Sequence, residues 1–219
     1  MNPRAPINPR TLLTWLGLLF GAAGLVLQFI LSMQLAFANG RDFPGFLGHF
    51  LAFYTILTNA IVVLIYLSEV LPTSRLALFR QPVMRGLTAA SIALVALYVY
   101  FVLRHLNVLG GLLLLADTIL HYICPALYLL WWLGAQPHGS LRWANLSVML
   151  LPTLVYFIYV MARGVWVQQY PYPILNAVEL GYPQVLVNAI YMSVALAVLS
   201  LLVIALDRAL APRQVAVDG

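Results

Sequence analysis

Six apolar stretches dominate the chain, at residues 11–37, 48–70, 86–103, 111–133, 143–162 and 185–206. Each is long enough to span, given the about 20 residues with which a helix crosses the hydrocarbon core of a bilayer. Short polar or proline-containing segments separate them: Asn39-Gly40 and Pro44 after the first, Pro72 and Pro82 around the second loop, and the tight Gly110-Gly111 reversal before the fourth. Trp131-Trp132 closes the fourth stretch, where aromatic rings favour the interface. The longest loop, about 163–184, carries Tyr170-Pro171-Tyr172-Pro173, an alternation that disfavours helix and reads either as an interfacial anchor or as a lid over an outward cavity. The pattern predicts an all-α polytopic membrane protein, with residues 1–219 forming one bundle of six transmembrane helices between short, disordered tails. No repeat relates the first three stretches to the last three, which weighs against many transporter folds.

Polar residues inside these stretches stand out. On the second, Thr55, Thr58 and Asn59 lie at i, i+3 and i+4 and share a helical face. On the fourth, Asp117, Thr118, His121, Cys124, Pro125 and Tyr128 do the same. Both stretches enter from one side, with Thr55 about 8 residues (roughly 12 Å) and His121 about 10 residues (roughly 15 Å) down. The two faces are therefore expected to meet at matching depth. Asp117, one turn from His121, could accept a hydrogen bond from the ring, although the geometry within one helix is loose. Pro125 removes the amide that would bond the His121 carbonyl, so a kink is expected just below the histidine.

Composition agrees with a membrane protein: 63% of residues are hydrophobic and 8% charged, against about 25% charged in soluble domains. All eleven basic residues counted with lysine are arginine. Arg4, Arg10, Arg75, Arg80, Arg85, Arg142, Arg208 and Arg213 fall on one side and Arg41, Arg104 and Arg163 on the other. The positive-inside rule then puts both termini in the cytoplasm, and the expected location is a bacterial cytoplasmic (inner) membrane. The net charge of +5 serves orientation and contacts with membrane lipids, not nucleic acid. Cys124, the single cysteine, excludes an intrachain disulfide or a thiolate cluster. The first apolar run is too long for a cleavable signal.

Hydroxyl and amide groups on buried faces commonly hold membrane helices together, and that reading covers Thr55, Thr58 and Asn59 taken singly. An ionisable residue at depth costs more and marks a site, which sets His121 and, less deeply placed, Asp117 apart. His49 and His105 read as solvated at the outer interface, and His138 is assigned no role. One deep histidine fits a haem poorly. His121 with Asp117 supplies too few ligands for zinc, so neither metal nor cofactor is expected.

Phe53–Asn59, the Asp117-x-x-x-His121-x-x-x-Pro125 pattern, and Tyr170–Pro173 followed by Gly181-Tyr182 and Asn188 resemble the androgen-induced / FAR-type six-span membrane threonine hydrolase family, in its bacterial branch. Animal members cleave fatty acid esters of hydroxy fatty acids with an intramembrane threonine and histidine. The resemblance implies that Thr55 and His121 are those residues. It departs at Thr118, where the animal motif has a second histidine, and in a shorter spacing from histidine to proline. Thr58 stays open as a second candidate nucleophile.

The reading is a membrane hydrolase of lipid esters, in which Thr55 attacks the carbonyl after His121 takes its proton. Asn59 or Thr58 would donate to the oxyanion, Asp117 would support His121, and Arg104, Arg163 or Tyr172 would hold substrate. The rivals are a non-catalytic bundle that binds or transports lipid or a small solute, and a purely structural membrane protein.

Overall fold

The computed structural model describes residues 8–106 and 108–212; it is 84% helical, and no strand occurs among those residues. Arg4 and Arg213, with most of both tails, lie outside the described residues. Five helical rods are long and apolar enough to cross a membrane, and a bent pair of helices makes a sixth. The chain is an all-α polytopic membrane bundle.

The elements are α1 (Pro9–Ala38), α2 (Phe43–Phe50), α3 (Tyr54–Val70), α4 (Pro82–Phe101), α5 (Gly111–Thr118), α6 (Cys124–Ala135), α7 (Leu146–Val167) and α8 (Ala177–Ala209). A five-residue π-helical turn, Ile119–Ile123, joins α5 to α6 in one rod. α1 starts with Asn8 accepting from the Arg10 amide and Pro9 in the first turn, where its missing N–H costs nothing. Asp42 caps α2 by accepting from the Gly45 amide at 2.9 Å.

Polar contacts bring the helix ends into register. Arg10 and Arg85 both pair with Glu69, and Arg85 also donates to Gln136. Asp207 accepts from the amides of Gly139 and Leu141 at 3.0 and 2.7 Å, and from His138 at 3.2 Å. The start of α1, the ends of α3, α6 and α8, and the start of α4 therefore meet at one end of the bundle. A buried cluster including Ile65, Tyr66, Tyr128, Trp131, Leu196 and Ile204 fills that half. Gly17, Gly21 and Gly24 line one stripe of α1 and admit Tyr66, Val63 and the Ile119-Leu120 step, respectively. Small residues at this spacing let membrane helices approach closely.

Three expectations need correction. The second stretch is not one rod: α2 and α3 meet at 77°, across a break at residues 51–53. Tightened turns use up the amides of Leu51, Ala52 and Phe53, and the Ala52 carbonyl accepts from the Tyr156 hydroxyl at 2.9 Å. The break thus leaves this polar backbone satisfied inside the membrane. Trp131 and Trp132 are buried among helices instead of presenting their rings at the surface; Trp131 donates to Thr14 Oγ1 at 2.9 Å. The long loop is shorter than 163–184, because α7 runs to Val167 and α8 starts at Ala177. Gly181, at φ 73°, turns the chain inside the first part of α8, a conformation that favours glycine.

Candidate active site

The break in the second span places Thr55 in the first turn of α3 instead of midway along a helix. The N-cap residue Phe53 makes no side-chain cap, and the Thr55 amide is too early in α3 for a partner within its own helix. The hydroxyl of Tyr172, 117 residues away, takes this place and accepts from the Thr55 amide at 3.3 Å.

The π-helical turn positions the histidine. Pro125 cannot donate, and the Cys124 amide reaches back to the Ile119 carbonyl, so the rod gains a wide turn where a simple kink was expected. His121 sits in this turn, with Gly24 of α1 against the Ile119 and Leu120 side chains. Its Nε2 lies 3.3 Å from Thr55 Oγ1, and its Nδ1 lies 2.8 Å from Asp117 Oδ1 and 3.1 Å from the Asp117 carbonyl. Both neighbours of Nδ1 are acceptors, so Nδ1 carries the hydrogen. In the neutral ring Nε2 then presents its lone pair to the Thr55 hydroxyl. The chain Asp117–His121–Thr55 has the connectivity of a catalytic triad. The Asp117–His121 contact, loose as a sequence expectation, is short here.

Asn59 and Thr58 do not join it. The Asn59 side-chain amide donates to the carbonyls of Thr55 at 2.9 Å and Leu120 at 3.2 Å. Both of its hydrogens are committed, leaving none for an oxyanion, and Asn59 instead clasps α3 to the π turn. Thr58 is buried beside the Tyr54 hydroxyl, and the hydroxyl facing His121 belongs to Thr55.

Two cavities meet at Thr55 and Tyr172, which line both. The larger, about 800 Å³, is also lined by His121, Asp117, Gln28 and Ser32, and by Arg41, Arg104 and His49. The smaller, about 120 Å³, lies between α4, α7 and α8 and is lined by apolar side chains such as Leu94, Val95, Phe157 and Met192. Arg104 donates to His105 Nε2 at 3.1 Å and packs 3.9 Å over the Tyr100 ring. Arg163 lines neither cavity; it donates to the Gln169 carbonyl at 3.1 Å and so holds the loop.

Tyr172 is half-buried, and burial pushes its phenol above the ordinary range, against the pull of its hydrogen bonds to Thr55. The Tyr-Pro alternation marked this loop as irregular, but nothing in it told that the second tyrosine points to Thr55. His138, assigned no role from sequence, ties the loop before α7 to Asp207.

The site belongs to a membrane bundle with a polar, triad-like cluster between two cavities. No family model matches the chain, and no curated protein or solved structure matches it.

Proposed function

We propose that the protein is an intramembrane hydrolase of lipid esters that uses Thr55 as nucleophile and His121 as base. The observation that carries this reading is His121 Nε2 at 3.3 Å from Thr55 Oγ1 while Nδ1 is held by Asp117. Thr55 Oγ attacks the ester carbonyl carbon as Nε2 takes its proton, and the imidazolium then gives that proton to the departing alkoxide. Water, deprotonated by the same nitrogen, attacks the acyl-threonine, releases the acid and restores Thr55. Asp117 keeps the tautomer and orientation that both half-reactions need. Two cavities that both reach Thr55 suit an ester with a hydrocarbon arm on either side of the carbonyl, and the arginines lining the larger one suit an acidic arm. The resemblance to the six-span threonine hydrolases supports the same chemistry. The arginine distribution supports termini in the cytoplasm of a bacterial inner membrane, with lipid as the partner.

The test is turnover of 4-nitrophenyl octanoate by the purified protein in detergent. Thr55→Ala and His121→Ala are expected to lose at least about 10³-fold in kcat/KM, whereas Thr58→Ala keeps activity near that of the unaltered protein. Turnover indifferent to Thr55 and His121, or absent from the unaltered protein across several ester classes, would transfer the reading to a non-catalytic lipid-binding bundle.

A further inference from the structure

Resting on the hydrolase reading, we infer that Tyr172 is a catalytic residue: its hydroxyl, held in place by the Thr55 amide, donates to the oxyanion of the reaction.

An acyl-transfer enzyme needs fixed donors where charge develops on the former carbonyl oxygen. Asn59 has no free hydrogen for this, and Thr58 faces elsewhere. The Tyr172 oxygen is 3.3 Å from the Thr55 amide nitrogen and 3.4 Å from Thr55 Oγ1. It accepts from the amide, and its own hydrogen is then directed to Oγ1. In the tetrahedral intermediate the oxyanion is attached to the carbon that Oγ1 has bonded, next to the position this hydroxyl already occupies. Once Oγ1 becomes an ester oxygen it is a poorer acceptor, and the phenolic hydrogen turns to the oxyanion. The Thr55 amide, in the first turn of a 17-residue helix, donates to the Tyr172 oxygen and so strengthens the phenol as a donor, while the helix adds the positive end of its dipole beside the site.

The loop that brings Tyr172 is fixed on both sides of the ring. Upstream, Gln169 is held by Arg41 through its side chain at 2.9 Å and by Arg163 through its carbonyl at 3.1 Å. Tyr170 lies directly on Gly164, in space that a Cβ would fill. Downstream, Asn188 donates to the Ile174 carbonyl at 2.9 Å. Pro171 and Pro173 flank the tyrosine and restrict its backbone, while the ring meets Phe53 and Tyr98 edge-on. Such restraint is what preorganisation requires, since a donor that had to be recruited from a mobile loop would lose its advantage.

Tyr172→Phe removes one oxygen and leaves the ring packing in place. With 4-nitrophenyl octanoate, kcat is expected to fall about 10²-fold and KM to stay within about threefold. The rate at which an alkyl fluorophosphonate modifies Thr55 is expected to fall in parallel, because its phosphoryl oxygen gains negative charge at the same position as Oγ1 attacks phosphorus and fluoride leaves. Thermal unfolding of the variant in detergent checks that the bundle is intact, and Gly164→Ala, which lifts the loop from α7 but keeps the phenol, should show a smaller loss of the same kind. An unchanged kcat for Tyr172→Phe, or a raised KM alone, overturns the assignment while Thr55→Ala remains inactive. If Thr55→Ala is active too, the hydrolase reading falls with it.

Discussion

At the residue scale, the side chain most affected by its surroundings is His121. Its two nitrogens face different chemistries, a carboxylate on one side and a hydroxyl on the other. Replacing Asp117 by Asn keeps the size but offers Nδ1 an amide whose NH₂ can donate, which favours the opposite tautomer and turns Nε2 into a donor toward Thr55. The expected result is a loss of about 10³-fold in kcat with little change in melting temperature, measured in the same ester assay. The residues of this cluster were legible in the sequence as polar groups in apolar stretches. Tyr172 was legible as part of a Tyr-Pro segment and as a candidate substrate contact but not as a partner of Thr55, because that depends on how the loop folds back, and local sequence does not encode that direction. Asn59 illustrates the opposite case: its shared face with Thr55 was readable, but the facing carbonyl of Leu120 that occupies its second hydrogen was not.

At the scale of elements, both segments that present the site are irregular. α3 begins at a break, which puts Thr55 in a first turn whose amide is met by the Tyr172 hydroxyl, and the rod from Gly111 to Ala135 opens into a π turn around His121. Pro125 announced a disturbance below His121, since an amide was missing; a widened turn and a kink are both remedies for that loss, and packing against α1 accompanies the former. The bend between α2 and α3 has no proline at residues 51–53 to mark it, and its carbonyl partner, Tyr156, comes from a helix about 100 residues later in the chain. The glycine stripe on α1, spaced for close approach, carries a direct consequence. A Cβ at Gly24 would come within 2.6 Å of Ile119 Cγ2 and 3.0 Å of Leu120 Cδ2. Gly24→Ala is therefore expected to push the π turn away from α1 and to reduce turnover at least about tenfold. The protein should still insert and retain its helicity, as circular dichroism of the purified variant would register.

Across the whole molecule, the two ends differ in kind. The end that gathers the termini is closed by Glu69, held between Arg10 and Arg85, and by Asp207 with its three donors. Glu69 and Arg85 side chains are each 10% exposed, so removing Glu69 leaves the Arg85 charge without its partner. Glu69→Ala should lower stability by about 3 kcal/mol, seen as a lower melting temperature, while the protein that remains folded keeps its ester turnover. The six crossings were readable from apolar length alone, since the bilayer fixes what a helix must span. The closing network was not, because it joins residues from five separate segments.

The contrast between a packed half and a hollow half bears on traffic through the protein. The cavities sit beside Thr55 near the end opposite the termini, and the aromatic and aliphatic cluster of Tyr66, Tyr128 and Trp131 lies beyond them. On the hydrolase reading proposed above, a cul-de-sac of this shape would take in an ester and return its fragments by the side from which it came.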